Sequence, residues 1–136
     1  MESRCILSLA YKLIDHFDIT LFGGVVRDVI APCYAKGINP FESDFKFDGK
    51  INDLDVILKL EKYETVESFV FSETGKFREW DWIVVDTSKI DVYGVQGIRV
   101  EIKHTITEVE THIDIISPRY IIRPDCDVNL LQFNQS

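Results

Sequence analysis

Residues 21–30 read "LFGGVVRDVI", and residues 51–58 read "INDLDVIL". In the first stretch an apolar run stops at two adjacent glycines, Gly23 and Gly24, and apolar residues then resume at helical spacing. In the second, Asp53 and Asp55 alternate with apolar residues. Side chains two apart on a strand share a face, with α-carbons roughly 6–7 Å apart, so these two acids project together while Leu54 points the other way. Like charges held so closely repel. The arrangement is tolerable at an exposed strand end and useful where a divalent cation sits between the carboxylates. A strand that ends in Gly-Gly and opens a helix lets backbone N–H groups approach an anion, although a tight turn alone also calls for glycine. Taken together, a phosphate cradle and an acidic metal site suit a nucleoside triphosphate with its Mg²⁺ or Mn²⁺.

Outward from these stretches, Ile6, Leu9, Ala10, Leu13, Ile14 and Phe17 fall on one helical face. Ser3 is the candidate cap of that helix, which should end near Asp18. "ITLF" (19–22) predicts a short buried strand, Val25 to Ile30 the first turns of a second helix, and Pro32 its kink or end. "KGINPFESDFKFDGK" (36–50) reads as a mobile loop. "DLDVILKL" (53–60) predicts a strand, and "KYETVESFVFSETG" (62–75) a helix with Tyr63, Val66, Phe69 and Val70 inward, stopped at Gly75. "FREWDWIVVDT", "GIRVEIKHTI" and "THIDIIS" then predict three strands, with a hairpin turn near Glu108. "DVNLLQF" near the C-terminus should be ordered. The layout is that of an α+β domain with a mixed sheet.

Composition narrows the function. The 136 residues amount to one domain, 46% hydrophobic and 12% aromatic, with a formal charge of −8. That charge argues against a broad nucleic-acid-binding surface, and "KFDGK" is the nearest approach to a basic cluster. Charges throughout "MESRCILSLAYKLIDHF" predict neither a signal peptide nor a membrane span. Cys5, Cys33 and Cys126 are scattered and odd in number, as reduced thiols of an intracellular, cytoplasmic protein would be.

Two-metal chemistry wants a third carboxylate. Asp114 in "HIDII", a lone acid between isoleucines, is favoured over Glu101, whose alternation with Arg99 and Lys103 suggests a solvated salt-bridged row. His16, His104 and His112 read as structural histidines, and nothing resembles a Ser/His/Asp or Cys/His device. Trp80 and Trp82 flank Asp81 and should share a strand face, as a buried core pair in preference to a docking patch.

The chain resembles the nucleotidyltransferase superfamily, in the branch of the poly(A) polymerases and CCA-adding tRNA nucleotidyltransferases. The residues that carry this are Gly23, Gly24, Val26, Arg27 and Asp28, then Asp53 and Asp55, then "RPDCDVNLL" (123–131). In the last motif Arg123, Asp125, Asn129 and Leu131 agree with the family pattern, whereas Pro124, Cys126 and Asp127 depart from it. The resemblance implies a polymerase beta-like palm, a mixed sheet with helices packed on one side. It makes residues 1–136 a single head domain without the neck and body domains that usually follow. Asp53 and Asp55 would ligate the catalytic metal, with Asp114 as third acid. Gly23 and Gly24 would contact the triphosphate through their backbone. Arg27 and Asp28 would brace the site or reach phosphate, and Arg123, Asp125 and Asn129 would order the nucleotide. The spacing between the glycines and the acids is longer than the family's, which makes residues 31–50 an insertion, either a lid or decoration.

The function implied is transfer of a nucleoside monophosphate from an NTP, ATP among them, to a hydroxyl, with release of pyrophosphate. An RNA or protein acceptor would not be gripped by a basic surface of this chain, so a partner subunit is one way to supply it. The alternative expectation is an inactive binding or scaffold module that keeps the fold.

Overall fold

The computed structural model describes residues 2–92, 94–117 and 132–134. Helix α1 (Glu2–Phe17) buries Ile6, Leu9, Ala10, Leu13 and Ile14, the stripe set by the 3.6-residue period. Ser3 does not cap it. The helix starts one residue earlier, and the Ser3 hydroxyl donates instead to the Phe47 carbonyl at 3.4 Å. Strand β1 (Thr20–Phe22) ends at Gly23, whose φ of +75° turns the chain into a π-helical turn (Val26–Ile30) and then helix α2 (Ala31–Ala35). Pro32 neither ends nor sharply breaks this segment. It lacks the N–H that would bond back into the preceding turn, and Ala31 N–H reaches Val26 O, five residues back.

Residues 36–50 hold no helix or strand, yet they are anchored. Phe41, Phe45 and Phe47 pack against the core, and Arg4 donates to the Glu42 and Phe41 carbonyls at 2.5 and 3.2 Å. Strand β2 (Leu54–Ile57) follows, shorter than the sequence suggests. Helix α3 (Val66–Glu79) begins later and ends later than expected. Thr65 caps it, accepting from the Ser68 N–H at 3.0 Å while Ser68 Oγ accepts from the Thr65 N–H at 3.1 Å. Gly75 does not stop it, because the fully buried Phe77 draws one more turn onto the core. Trp80 therefore closes a helix rather than starting a strand, and Asp81, at φ +67°, turns the chain into strand β3 (Trp82–Val92). The tryptophans do not flank Asp81 on one strand face: Trp82 is buried, whereas Trp80 is half-buried among Phe17, Phe77 and His16.

Strand β4 (Val95–His104) and strand β5 (Glu110–Ile116) keep the alternation read from the sequence, and Glu108, at φ +62°, marks the turn between them. Strand β6 (Gln132–Phe133) pairs with β1. The sheet order is β3-β4-β5-β2-β1-β6, parallel only between β2 and β5, so the fold is α+β with a six-stranded mixed sheet. Leu21, Leu54, Val56, Val100, Ile113 and Ile115 face the helices and form the main core with their buried sides. The opposite face carries a smaller cluster of Phe22, Ile57, Val95 and Ile116. Among the described residues no helix is long and apolar enough to cross a membrane.

Gly75 sits inside α3, with open space where a methyl would go. Gly75→Ala is expected to stabilise the protein by about 0.5–1 kcal/mol, since glycine weakens a helix interior by that order. Chemical denaturation checks it, and a loss of stability would show that the helix breaks at this residue.

Candidate functional site

The glycine turn and the acid strand meet. Strands β1 and β2 are antiparallel, with Phe22 opposite Asp55, so Gly23 comes alongside the Asp55 carboxylate. A methyl on Gly23 would overlap Asp55 Oδ2 and stand 3.1 Å from its Cγ, at a backbone conformation that already disfavours any side chain. Glycine is thus required there on two counts. Gly24 differs: a methyl would make only ordinary contacts, 3.6 Å from Arg27 Nη2 and 3.9 Å from Asp28 Oδ2.

The parallel pairing of β2 with β5 sets Asp55 opposite Asp114, and the antiparallel pairing of β5 with β4 sets Asp114 opposite Arg99. One row of side chains therefore crosses three strands. Arg99 donates through Nε to Asp114 Oδ1 at 2.8 Å and through Nη2 to Oδ2 at 3.1 Å, a two-pronged grip on a carboxylate that is only 4% exposed. In the neighbouring row Asp53 stands beside His112. His112 Nε2 is 3.1 Å from Asp53 Oδ2 and 3.9 Å from Asp114 Oδ2, and one donor atom from each of the three residues lies within 4.8 Å of the other two.

Burial, then the charges of Asp53 and Asp114, push the Asp55 carboxyl up to about 7, and Arg99 only partly offsets them. Asp28 goes the other way. Arg27 Nε and Nη2 donate to its two oxygens at 2.9 and 3.0 Å, and this guanidinium holds the carboxyl below its ordinary value. The pair is exposed and lines a cleft of about 230 Å³ with Gly24, Lys50, Asn52 and Asp53. A second cleft of about 280 Å³ adjoins it beyond Asp28 and Val29, walled by Cys33, Lys36, Phe45 and Phe47.

Of the residues picked out in the sequence, Gly23, Gly24, Arg27, Asp28, Asp53, Asp55 and Asp114 thus fall around one end of the sheet. Arg123, Asp125 and Asn129 lie outside the described residues. The Arg99–Glu101–Lys103 row is not salt-bridged within itself: Arg99 turns to Asp114, and Lys103 stands 3.9 Å from Glu108. Of the histidines, His16 edges onto Phe17 and Trp80, and His104 packs on Trp82. His112 lies among the acids, its Nε2 within hydrogen-bond distance of Asp53 Oδ2. Comparison with protein-family models, with curated proteins and with solved structures returned no match. The site therefore has to be read from its own chemistry.

Two outcomes follow from this geometry. In the unfolded chain Asp55 titrates near 4, and in the fold at about 7. Between those values the native state holds a proton that the unfolded state has lost, so this group's contribution to stability falls as pH rises from about 4 to 7 and levels off above. Asp55→Asn removes that fall. In metal-free buffer its Tm should exceed the parent's by a margin that widens from about pH 5 to pH 8, and parallel Tm–pH curves would contradict the crowding.

The glycines should separate in the same assay. Gly23→Ala is expected to lose about 1–3 kcal/mol to backbone strain and overlap, and Gly24→Ala less than about 0.5 kcal/mol. Equal losses in denaturant melts would count against the contact between Gly23 and Asp55.

Proposed function

We propose that this domain is a metal-dependent nucleotidyltransferase with the palm fold of that superfamily. The observation that carries the reading is the approach of the Asp55 carboxylate to the α-carbon of Gly23. It sets the glycine turn beside the acid pair, and one residue of each motif, Gly24 and Asp53, lines the same cleft.

Asp53 and Asp55 would hold the metal, with Asp114 beside them, and their oxygen donors suit Mg²⁺ or Mn²⁺. When bound, a divalent cation would activate the attacking hydroxyl and neutralise charge on the triphosphate. The remaining work falls to the chain. The first N–H groups after Gly23 have no partner within the helix and sit where Gly24 offers no side chain to obstruct a phosphate. Lys50 borders the same cleft and supplies positive charge to it, and Arg27, paired there with Asp28, borders it as well. Arg99 fixes the Asp114 carboxylate in one orientation. Asp55 must give up its proton to serve as a ligand, which ties nucleotide binding to pH in the range where that carboxyl titrates. The acceptor oxygen would then attack the α-phosphorus as its proton passes to solvent, and the bond from the α-phosphorus to the bridging oxygen would break to release pyrophosphate. No covalent intermediate with the protein is required.

One observation favours the rival reading of an inactive module. Arg99 already satisfies both oxygens of Asp114, as a structural ion pair would.

Calorimetry at about pH 8 separates the two. With Mg²⁺ or Mn²⁺ present, at least one NTP should bind, and binding should vanish without the cation and in Asp53→Asn/Asp55→Asn. The double variant relieves charge repulsion, so its loss of binding would not reflect unfolding, which circular dichroism would verify. Absence of NTP binding by the parent protein in either metal would favour the inactive module.

A further inference from the structure

The carboxylates of this site have a neighbour of different chemistry. His112 comes from the same strand as Asp114, two residues earlier, so both side chains leave β5 on one face. Asp53 lies immediately before β2, and the pairing of the next residue, Leu54, with Ile113 of β5 brings it alongside His112. The donors are one imidazole nitrogen and two carboxylate oxygens, separated by 3.1 Å, 3.9 Å and no more than 4.8 Å. Two donors each about 2.1 Å from a common cation lie roughly 3 Å apart when adjacent and about 4 Å apart when opposite. The observed spacings need only a small contraction to meet those values.

The lone pairs are available as well. Each carboxylate oxygen can accept twice. Arg99 takes one position on each oxygen of Asp114, which leaves Oδ2 a second position toward His112. A guanidinium that orients a buried ligand carboxylate from behind is the outer support that metal sites depend on. Asp55, on the other side of Asp114, is not part of the three-donor group, and its carboxylate lies against Gly23.

We propose that His112, Asp53 and Asp114 form a binding site for a first-row transition dication, with His112 Nε2 as a ligand. This site shares Asp53 and Asp114 with the metal centre of the transferase reading, leaves out Asp55, and adds an imidazole that selects another class of metal. Mg²⁺ prefers oxygen donors and gains little from imidazole, whereas Co²⁺ and Zn²⁺ bind imidazole well. In the tautomer that carries its proton on Nε2, His112 donates to Asp53 Oδ2. Binding of the cation requires that nitrogen bare, so the proton moves to Nδ1 or leaves to solvent.

The test uses the full chain, stripped of metal and without nucleotide. Zn²⁺, Co²⁺ and Mg²⁺ are titrated separately by calorimetry into the parent, His112→Asn and His112→Gln, after circular dichroism has shown that the variants fold. Most sites bind Zn²⁺ more tightly than Mg²⁺, so that preference decides nothing by itself. The deciding quantity is the effect of the histidine. Both variants should lose at least about 10-fold in Zn²⁺ and Co²⁺ affinity while Mg²⁺ affinity changes by less than about 3-fold. Nitrogen NMR of the imidazole side chains should show the His112 Nε2 resonance, assigned by its absence from the variants, shifting on Zn²⁺ addition.

Unchanged Zn²⁺ affinity in folded variants, an unmoved His112 resonance, or no binding by the parent would each overturn the proposal. None of these outcomes bears on Mg²⁺-dependent NTP binding. Conversely, a parent that binds Zn²⁺ through His112 but takes no NTP with any metal would sink the transferase reading and leave this site standing.

Discussion

Like charge crowded onto one face of the sheet is the constraint around which this domain is arranged. Parallel pairing of β2 with β5 sets Asp55 directly opposite Asp114, and Asp53 extends from the same face of the chain. Opposed like charges destabilise a sheet, and the low dielectric of a buried position makes the repulsion worse. Among the described residues, Arg99 is the permanent counter-charge in direct contact with this group, and it is spent on Asp114. The consequence appears at Asp55, whose carboxyl retains its proton up to about pH 7. A fold selected only for stability would place an apolar residue there, as it does two positions later at Ile57. Violations of this kind concentrate at functional sites, where the energetic cost is offset elsewhere.

The offset is visible on the opposite face. Leu54 and Val56 alternate with the acids and enter the main core with Val100, Ile113 and Ile115, against α1, α3 and the π-helical turn. Each of these buried side chains contributes roughly 1.5–3 kcal/mol relative to exposure. A one-residue slip of β2 would exchange the two faces, sending the carboxylates into the core and the leucine and valine outward. The register that puts Asp55 beside Gly23 is therefore enforced from behind by packing and does not depend on any favourable contact in the site. A cation or ligand arriving there would find the acids already in place.

Most of this was legible in the sequence wherever the deciding signal was local. Period-two alternation in "DLDVIL", "GIRVEIKH" and "HIDII" assigns faces, and those faces survive in β2, β4 and β5. The Gly-Gly turn and the acid pair were legible for the same reason. What escaped depends on pairing between distant segments. Arg99 reads as a member of a solvated row along β4, and only its register against β5 shows Asp114 across from it. His112 looks ordinary until β2 brings Asp53 to it across 59 residues. The limits of α3 were missed because two signals compete. Gly75 weakens the helix by about 1 kcal/mol, but burying Phe77 returns more than that, so the helix runs on and removes Trp80 from the strand.

The long segment between the glycines and the acids fits the same logic. Within residues 31–50, expected to be a lid or decoration, the stretch 36–50 turns its aromatic side chains inward. Phe41, Phe45 and Phe47 lie against the core, and backbone carbonyls of Phe41, Glu42 and Phe47 accept hydrogen bonds from Arg4 and Ser3 of α1. Phe47 also lies against Gly49, where any larger residue would meet its ring 2.6 Å away. That contact fixes the chain two residues before Ile51, which is itself buried and leads directly into Asn52 and Asp53. Anchoring the segment to α1 thus sets the point from which β2 departs. The position of the acid pair is secured from upstream as well as from its sheet partners, and residues 36–50 act as a strut for the site and a wall of its cleft.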